Sequence, residues 1–167
     1  QRHLSISDPR AVVWNSAGTF AYVAGMGTNN VVKVDANGAR VSTIDVGQGP
    51  VGLAFDNTRS RLYALNRFDG TVSIINTATD AELTRVSYWD PTPANIKAGR
   101  PFLYDAHLTS QLGQASCASC HVDGRTDGLA WDAGDPSGSM APFTGPCNSG
   151  IPFPGSCSDW SPVKGPM

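Results

Sequence analysis

Four cysteines, three histidines and three methionines carry most of the chemistry this chain can offer. Two of the cysteines stand at a spacing that restricts what they can do. Cys117-Ala118-Ser119-Cys120-His121 sets two thiols three residues apart, with an imidazole directly after the second. On a helical turn residues i and i+3 share a face. Both sulfurs can then form thioethers to the two vinyl groups along one porphyrin edge, while the adjoining histidine ligates the iron. The run therefore predicts one covalent haem c held by Cys117 and Cys120, with His121 as an iron ligand. Two blander readings stay open, a zinc site and a plain disulfide. Zinc needs a second ligand pair, and Cys147 and Cys157 are ten residues apart where two to four is usual. A thioredoxin-type pair belongs near a βαβ pattern that the sequence lacks.

The sixth iron ligand separates electron transfer from catalysis, since a methionine or second histidine blocks the position that peroxide or oxygen would enter. Met167, 46 residues after His121, is the first candidate. Met140, His107, His3 and a ligand beyond Met167 are the others. Trp131 and Phe102 are the aromatic residues expected against the porphyrin faces, where burial limits water; ordinary core packing explains them as well. Arg125, or failing it Arg100, could pair with a propionate through two parallel hydrogen bonds, against the plainer reading of a solvated arginine. Cys147 and Cys157 are expected to form a disulfide, because haem attachment of this kind takes place where thiols are oxidised. Closing so short a loop would add about 2–3 kcal/mol in the chain-entropy account.

The N-terminal half is built differently, from an internal repeat. Laying residues 9–49 over 50–90 gives a period of 41, with Pro9 on Pro50, Tyr22 on Tyr63, Val31 on Val72 and Val34 on Ile75. Each copy reads as four short strands rich in β-branched and aromatic residues: in the first, Ala11–Trp14, Phe20–Val23, Asn30–Val34 and Val41–Ile44. Turn signals lie between them, among them Asn37-Gly38 and Asp69-Gly70. Four strands in about 40 residues is the spacing of a propeller blade. Tyr63-Ala64-Leu65-Asn66 followed by Thr71-Val72-Ser73-Ile74-Ile75-Asn76, with Tyr22-Val23-Ala24-Gly25 as a looser copy, resembles the YVTN type of β-propeller repeat over residues 9–88. That resemblance implies two four-stranded blades. Two blades cannot close a propeller, so the chain is expected to be a piece of a longer polypeptide or to dock on another chain. An eight-stranded sandwich is the alternative.

Pro91-Thr92-Pro93 ends the strand pattern and divides the chain into residues 1–90 and 91–167. From Ile96 to Leu112 the apolar residues Phe102, Leu103, Leu108 and Leu112 approach helical spacing, with Pro101 acceptable in a first turn, which predicts a short helix leading to the motif. Gly99-Arg100-Pro101-Phe102-Leu103-Tyr104-Asp105 through Ser110, then Ser116-Cys117-Ala118-Ser119-Cys120-His121, resembles the first haem domain of the dihaem cytochrome c peroxidase and MauG family over about residues 98–135. The resemblance implies a small, mainly α, loop-rich cytochrome c domain and a periplasmic redox protein. A second C-x-x-C-H, which the dihaem enzymes need, is missing from these 167 residues.

Twelve basic and 14 acidic residues without runs of either sign leave no nucleic-acid footprint. No segment approaches the roughly 20 apolar residues of a membrane span, and the first residues lack the apolar middle of a signal peptide. The expected function is a monohaem c-type cytochrome, periplasmic or extracellular, carrying electrons to a redox partner protein with the blades as docking surface. The alternatives are the haem domain of a MauG-like peroxidase or oxidase completed by other sequence, and a haem-bearing structural subunit of a larger assembly.

Overall fold

The computed structural model describes residues 2–110, 112–121, 125, 141–142 and 163–164. The N-terminal strands are β1 (Pro9–Trp14), β2 (Phe20–Gly25), β3 (Asn30–Asp35), β4 (Arg40–Asp45), β5 (Pro50–Asp56), β6 (Arg61–Asn66), β7 (Thr71–Asn76) and β8 (Ala81–Ser87). They form two four-stranded antiparallel sheets, ordered β1-β2-β3-β4 and β5-β6-β7-β8. Each sheet is an up-and-down meander, the form of a propeller-like blade. The fold is mainly β with a small helical part, as the repeat implied.

The 41-residue period extends to details that residue types did not reveal. Every strand start in the first sheet recurs 41 residues later in the second. So do the ladder irregularities: Pro9/Ala11 matches Pro50/Gly52, and Lys33/Val34 matches Ile74/Ile75. Two left-handed backbone positions repeat as well, Asp8 (φ 48°) with Gly49 (φ 65°) and Asn29 (φ 54°) with Gly70 (φ 68°).

The core lies between the sheets. Tyr22, Val31, Ile44 and Val46 meet Leu62, Ala64 and Ile75, with Val13, Leu53 and Phe55 packed at the margin. The Tyr22 and Phe55 rings lie 5.8 Å apart, tilted by 31°. Strict alternation along β7 shows why two-residue periodicity mattered: Thr71, Ser73 and Ile75 are buried while Val72, Ile74 and Asn76 are half-buried.

One ion pair joins the sheets. Lys33 Nζ donates to both carboxylate oxygens of Asp80 at 3.0 and 3.1 Å, and Ser42 Oγ donates to the same carboxylate at 3.0 Å. The Lys33 ammonium also sits 4.7 Å from the centroid of Phe20. The Lys33 and Asp80 side chains are only 11 and 17% exposed. Removing one partner would leave the other poorly solvated, so Asp80→Ala is expected to lower the unfolding free energy by about 2 kcal/mol. Denaturant unfolding measures this directly, and an unchanged midpoint would mean that the pair contributes nothing to joining the sheets.

Helix α1 spans Ala94–Tyr104, α2 Ala106–Thr109 and α3 Cys117–Cys120. The single helix expected through Leu112 is thus broken, and Asp105 breaks it. Its backbone is extended (φ −83°, ψ 107°), and its carboxylate accepts from the N–H groups of His107 and Leu108 at 2.8 and 3.0 Å. An aspartate in this role caps a new helix rather than continuing the old one. Pro101 also departs from expectation, since α1 begins at Ala94 and the proline stands inside the helix. Its missing N–H removes the bond that the Lys97 carbonyl, four residues earlier, would accept from position 101.

By compactness the chain divides into Gln1–Ser119 and Cys120–Met167, so α1 and α2 fall in the same unit as the sheets. In the second unit, β9 (Ala141–Pro142) and β10 (Val163–Lys164) form a short parallel pair. No helix among the described residues is long and apolar enough to cross a membrane.

Candidate functional site

The Cys117–Cys120 turn is closed at its start by two serines. Ser119 N donates to the Ser116 carbonyl at 3.0 Å, and Ser116 N donates back to Ser119 Oγ at 3.0 Å. The second bond is half of a capping box, the Ser119 side chain reaching back to the Ser116 N–H, while the first is accepted by the Ser116 carbonyl and not by its hydroxyl. Ser116 and Ala118 are buried while Cys117 is exposed. Cys120 and His121 are half-buried. Both serine hydroxyls donate to one oxygen, Asp8 Oδ2, at 3.0 and 3.1 Å. The start of the motif is therefore hydrogen-bonded to the residue that precedes β1.

The helices before the motif are tied to the sheets in the same way. Ala106, fully buried, donates its N–H to the Gly27 carbonyl at 2.7 Å. Asn29 bridges two segments: its Nδ2 donates to Asp105 Oδ2 at 3.1 Å, and its Oδ1 accepts from Gly49 N at 2.9 Å. Arg100 donates to the Phe68 carbonyl at 2.8 Å and to Thr92 Oγ1 at 3.0 Å, with its guanidinium 5.6 Å from the Phe68 ring centroid. Phe68 in turn lies 4.5 Å from Tyr104. A side chain at Gly49 would strike the Phe68 ring, its Cβ falling 2.2 Å from a ring carbon. Asn29, Gln48, Phe68, Pro101, Tyr104 and Asp105 line a hollow of about 10 Å³, far below the 300–1,000 Å³ typical of small-molecule sites.

Asp90 anchors the start of α1. Its Oδ1 accepts from Thr92 Oγ1 at 2.7 Å and from Thr92 N at 3.0 Å, and its Oδ2 lies 3.1 Å from Lys97 Nζ. The Thr92 hydroxyl first, then its N–H, then Lys97 hold the carboxyl down to about 2 from 3.8. Because the folded value is the lower one, the unfolded chain binds the proton more tightly. The contribution is therefore complete above about pH 4 and is lost as pH falls toward 2. Asp90→Asn is expected to flatten that stretch of the stability profile in acid unfolding, and a variant profile parallel to the parent would refute the assignment.

The sequence-derived candidates separate clearly. Phe102 is 69% exposed on α1, and Leu108 and Leu112 are also exposed. Arg125 is exposed. Arg100, the second choice for a propionate, is occupied by Phe68 and Thr92. His107 places Nε2 3.0 Å from Ser5 Oγ, which engages one of its two ring nitrogens. His3 is exposed in a short 3-10 turn, Arg2–Leu4. Trp131, Met140, Met167, Cys147 and Cys157 lie outside the described residues. Among the described residues no group of three or more His, Cys, Asp or Glu side chains gathers as a metal site would need.

Sequence reasoning missed Asp8 and Asn29. The signal for both was in the repeat: they fall on Gly49 and Gly70, and a side chain at a position that favours glycine calls for a reason.

No family model and no curated protein matches the chain. Solved structures with similar parts include hydrazine synthase of Kuenenia stuttgartiensis, at 19% identity and a TM-score of 0.49, covering 51% of this chain and 24% of that one. The β-propeller domain of Myceliophteria thermophila Cps50 (Swd1) is similar at 13% identity and 0.46, covering 53 and 27%. Apo AztD from Citrobacter koseri is similar at 12% identity and 0.44, covering 50 and 25%. The chain spans about a quarter of the length of each of these structures.

Proposed function

We propose that this chain is a monohaem c-type cytochrome that works outside the cytoplasm and carries electrons to a redox partner protein. Cys117 and Cys120 would hold the haem and His121 would ligate its iron. The observation that carries the reading is the turn at the motif: two cysteines at i and i+3 of a helical turn, the first of them exposed, with an imidazole next in sequence. That donor set suits a covalently tethered porphyrin. Bound there, the haem would supply a one-electron couple.

The chain's own residues have the remaining tasks. The Cys117 thiol stands in solvent, where a vinyl carbon can reach it. The Ser116–Ser119 hydrogen bonds keep the turn wound, which preserves the spacing of the two sulfurs. His121 must stay neutral to offer its lone pair. Trp14 (50% exposed), Val12 (62%) and Trp89 (84%) present apolar surface on or beside the sheets, of the kind that supports a blade surface as the docking face.

Visible spectra of the reduced protein, with and without carbon monoxide, test the proposal. A haem spectrum indifferent to carbon monoxide is the expected result, with a sixth ligand such as Met167 or Met140 in place. Ready binding of the gas would favour the peroxidase or oxidase reading. A colourless protein from a host able to attach c-type haem would end both.

A further inference from the structure

We propose that Asp8 is a positioning residue for the Cys117 arm of the attachment motif, tying that arm to the first blade through Ser116 and Ser119; this rests on the haem reading above. Asp8 has φ 48°, a left-handed conformation uncommon outside glycine, though aspartate and asparagine adopt it more readily than other residues. The equivalent position one repeat later is Gly49, which adopts it freely. The first blade thus carries a carboxylate where the fold alone would be served better by glycine.

What offsets that cost is reach. From the left-handed bend, Oδ2 accepts two hydroxyl hydrogen bonds from residues 108 and 111 positions away in sequence. Room for the carboxylate comes from Gly27, where a Cβ would stand 2.9 Å from Asp8 Oδ2. The same Gly27 accepts from Ala106, so one stretch of blade grips both the approach to the motif and its start. With Ser116 and Ser119 held and Ala118 buried, Cys117 faces outward. Asp8 therefore acts through the serines on the thiol's orientation and touches no reacting atom.

The test uses the full chain prepared without haem, as the parent, Asp8→Ala, Asp8→Asn and Ser116→Ala/Ser119→Ala. Hydrogen exchange at residues 116–119 is expected to quicken about ten- to a hundredfold in Asp8→Ala and in the double serine variant, the range for a lost hydrogen bond to a charged group. Amides of β2, β3, β6 and β7 should keep their protection. Asp8→Asn, which retains an acceptor and tolerates the bend, should restore most of it. Combining Asp8→Ala with the serine changes should add nothing further. In a host that attaches haem, peptide mapping is expected to show more product with the Cys117 thioether missing in Asp8→Ala, a defect that simple loss of global stability would not produce.

Unchanged exchange at 116–119, or effects of the two sides that simply add, would overturn the proposal. Should Asp8→Ala unfold the blade, seen as lost sheet protection, the serine variant decides, since it leaves Asp8 and the sheets intact. If exchange responds but the parent takes up no haem, the haem reading fails and Asp8 is a structural tie alone.

Discussion

Cys117→Ala/Cys120→Ala, produced in a host that attaches c-type haem, is expected to lose the covalent mass of the porphyrin completely. Each single variant should keep one thioether and a shifted spectrum. The difference follows from bond count: two cysteines three residues apart address two vinyl groups of one edge, and nothing else in the chain repeats that spacing. His121→Ala is the companion. It leaves both thiols in place, so the mass increment should survive while the iron loses its low-spin signature. Intact mass and a spectrum read the two effects separately. A double variant that still carries the full increment would overturn the attachment site.

The largest effect on stability is expected at Leu62. Its side chain is completely buried on β6, at the centre of the core that both sheets share. Leu62→Ala removes apolar contacts and leaves a cavity that neighbours on two stiff sheets cannot refill. The loss should be about 3 kcal/mol, a large part of the roughly 5–15 kcal/mol that holds a small domain. Val12→Ala, at a position 62% exposed, should change stability by no more than about 0.5 kcal/mol. Urea midpoints of the two variants make the comparison. A loss under about 1 kcal/mol at Leu62 would mean that the sheets do not depend on each other.

Asp80→Ala tests the rim of the same interface. Lys33 reaches from β3 in one sheet to Asp80 beside β8 in the other. A double change at Lys33 and Asp80 should cost less than the sum of the single changes, because removing both leaves no charge stranded.

Much of the β part could be read directly. Strands carry their signal locally, in alternation and in β-branched residues, and a repeat states each signal twice. For that reason Phe20–Val23 was legible as a strand before any partner was known, and the structure extended it only to Gly25. The helical part was less legible. Apolar spacing from Ile96 to Leu112 indicated one helix, but no residue of α1 is buried, so a hydrophobic stripe was not what defined it. Asp105 acts by capping, and whether an aspartate caps a helix or merely sits in one depends on its backbone, which residue type does not disclose.

The motif shows the same division. The order Cys-x-x-Cys-His is a statement about covalent chemistry and is complete in one dimension, since five consecutive residues set the spacing of two sulfurs and an imidazole. The sequence by itself therefore determined the repeat and the strand boundaries to within about two residues, and the spacing on which the haem proposal rests. What holds the start of the motif is not local. Asp8, Ser116 and Ser119 meet across more than a hundred residues, and so do Ser5 and His107. Only the tertiary structure decided those pairs, because a hydrogen bond depends on where folding brings the atoms and not on how far apart they stand along the chain.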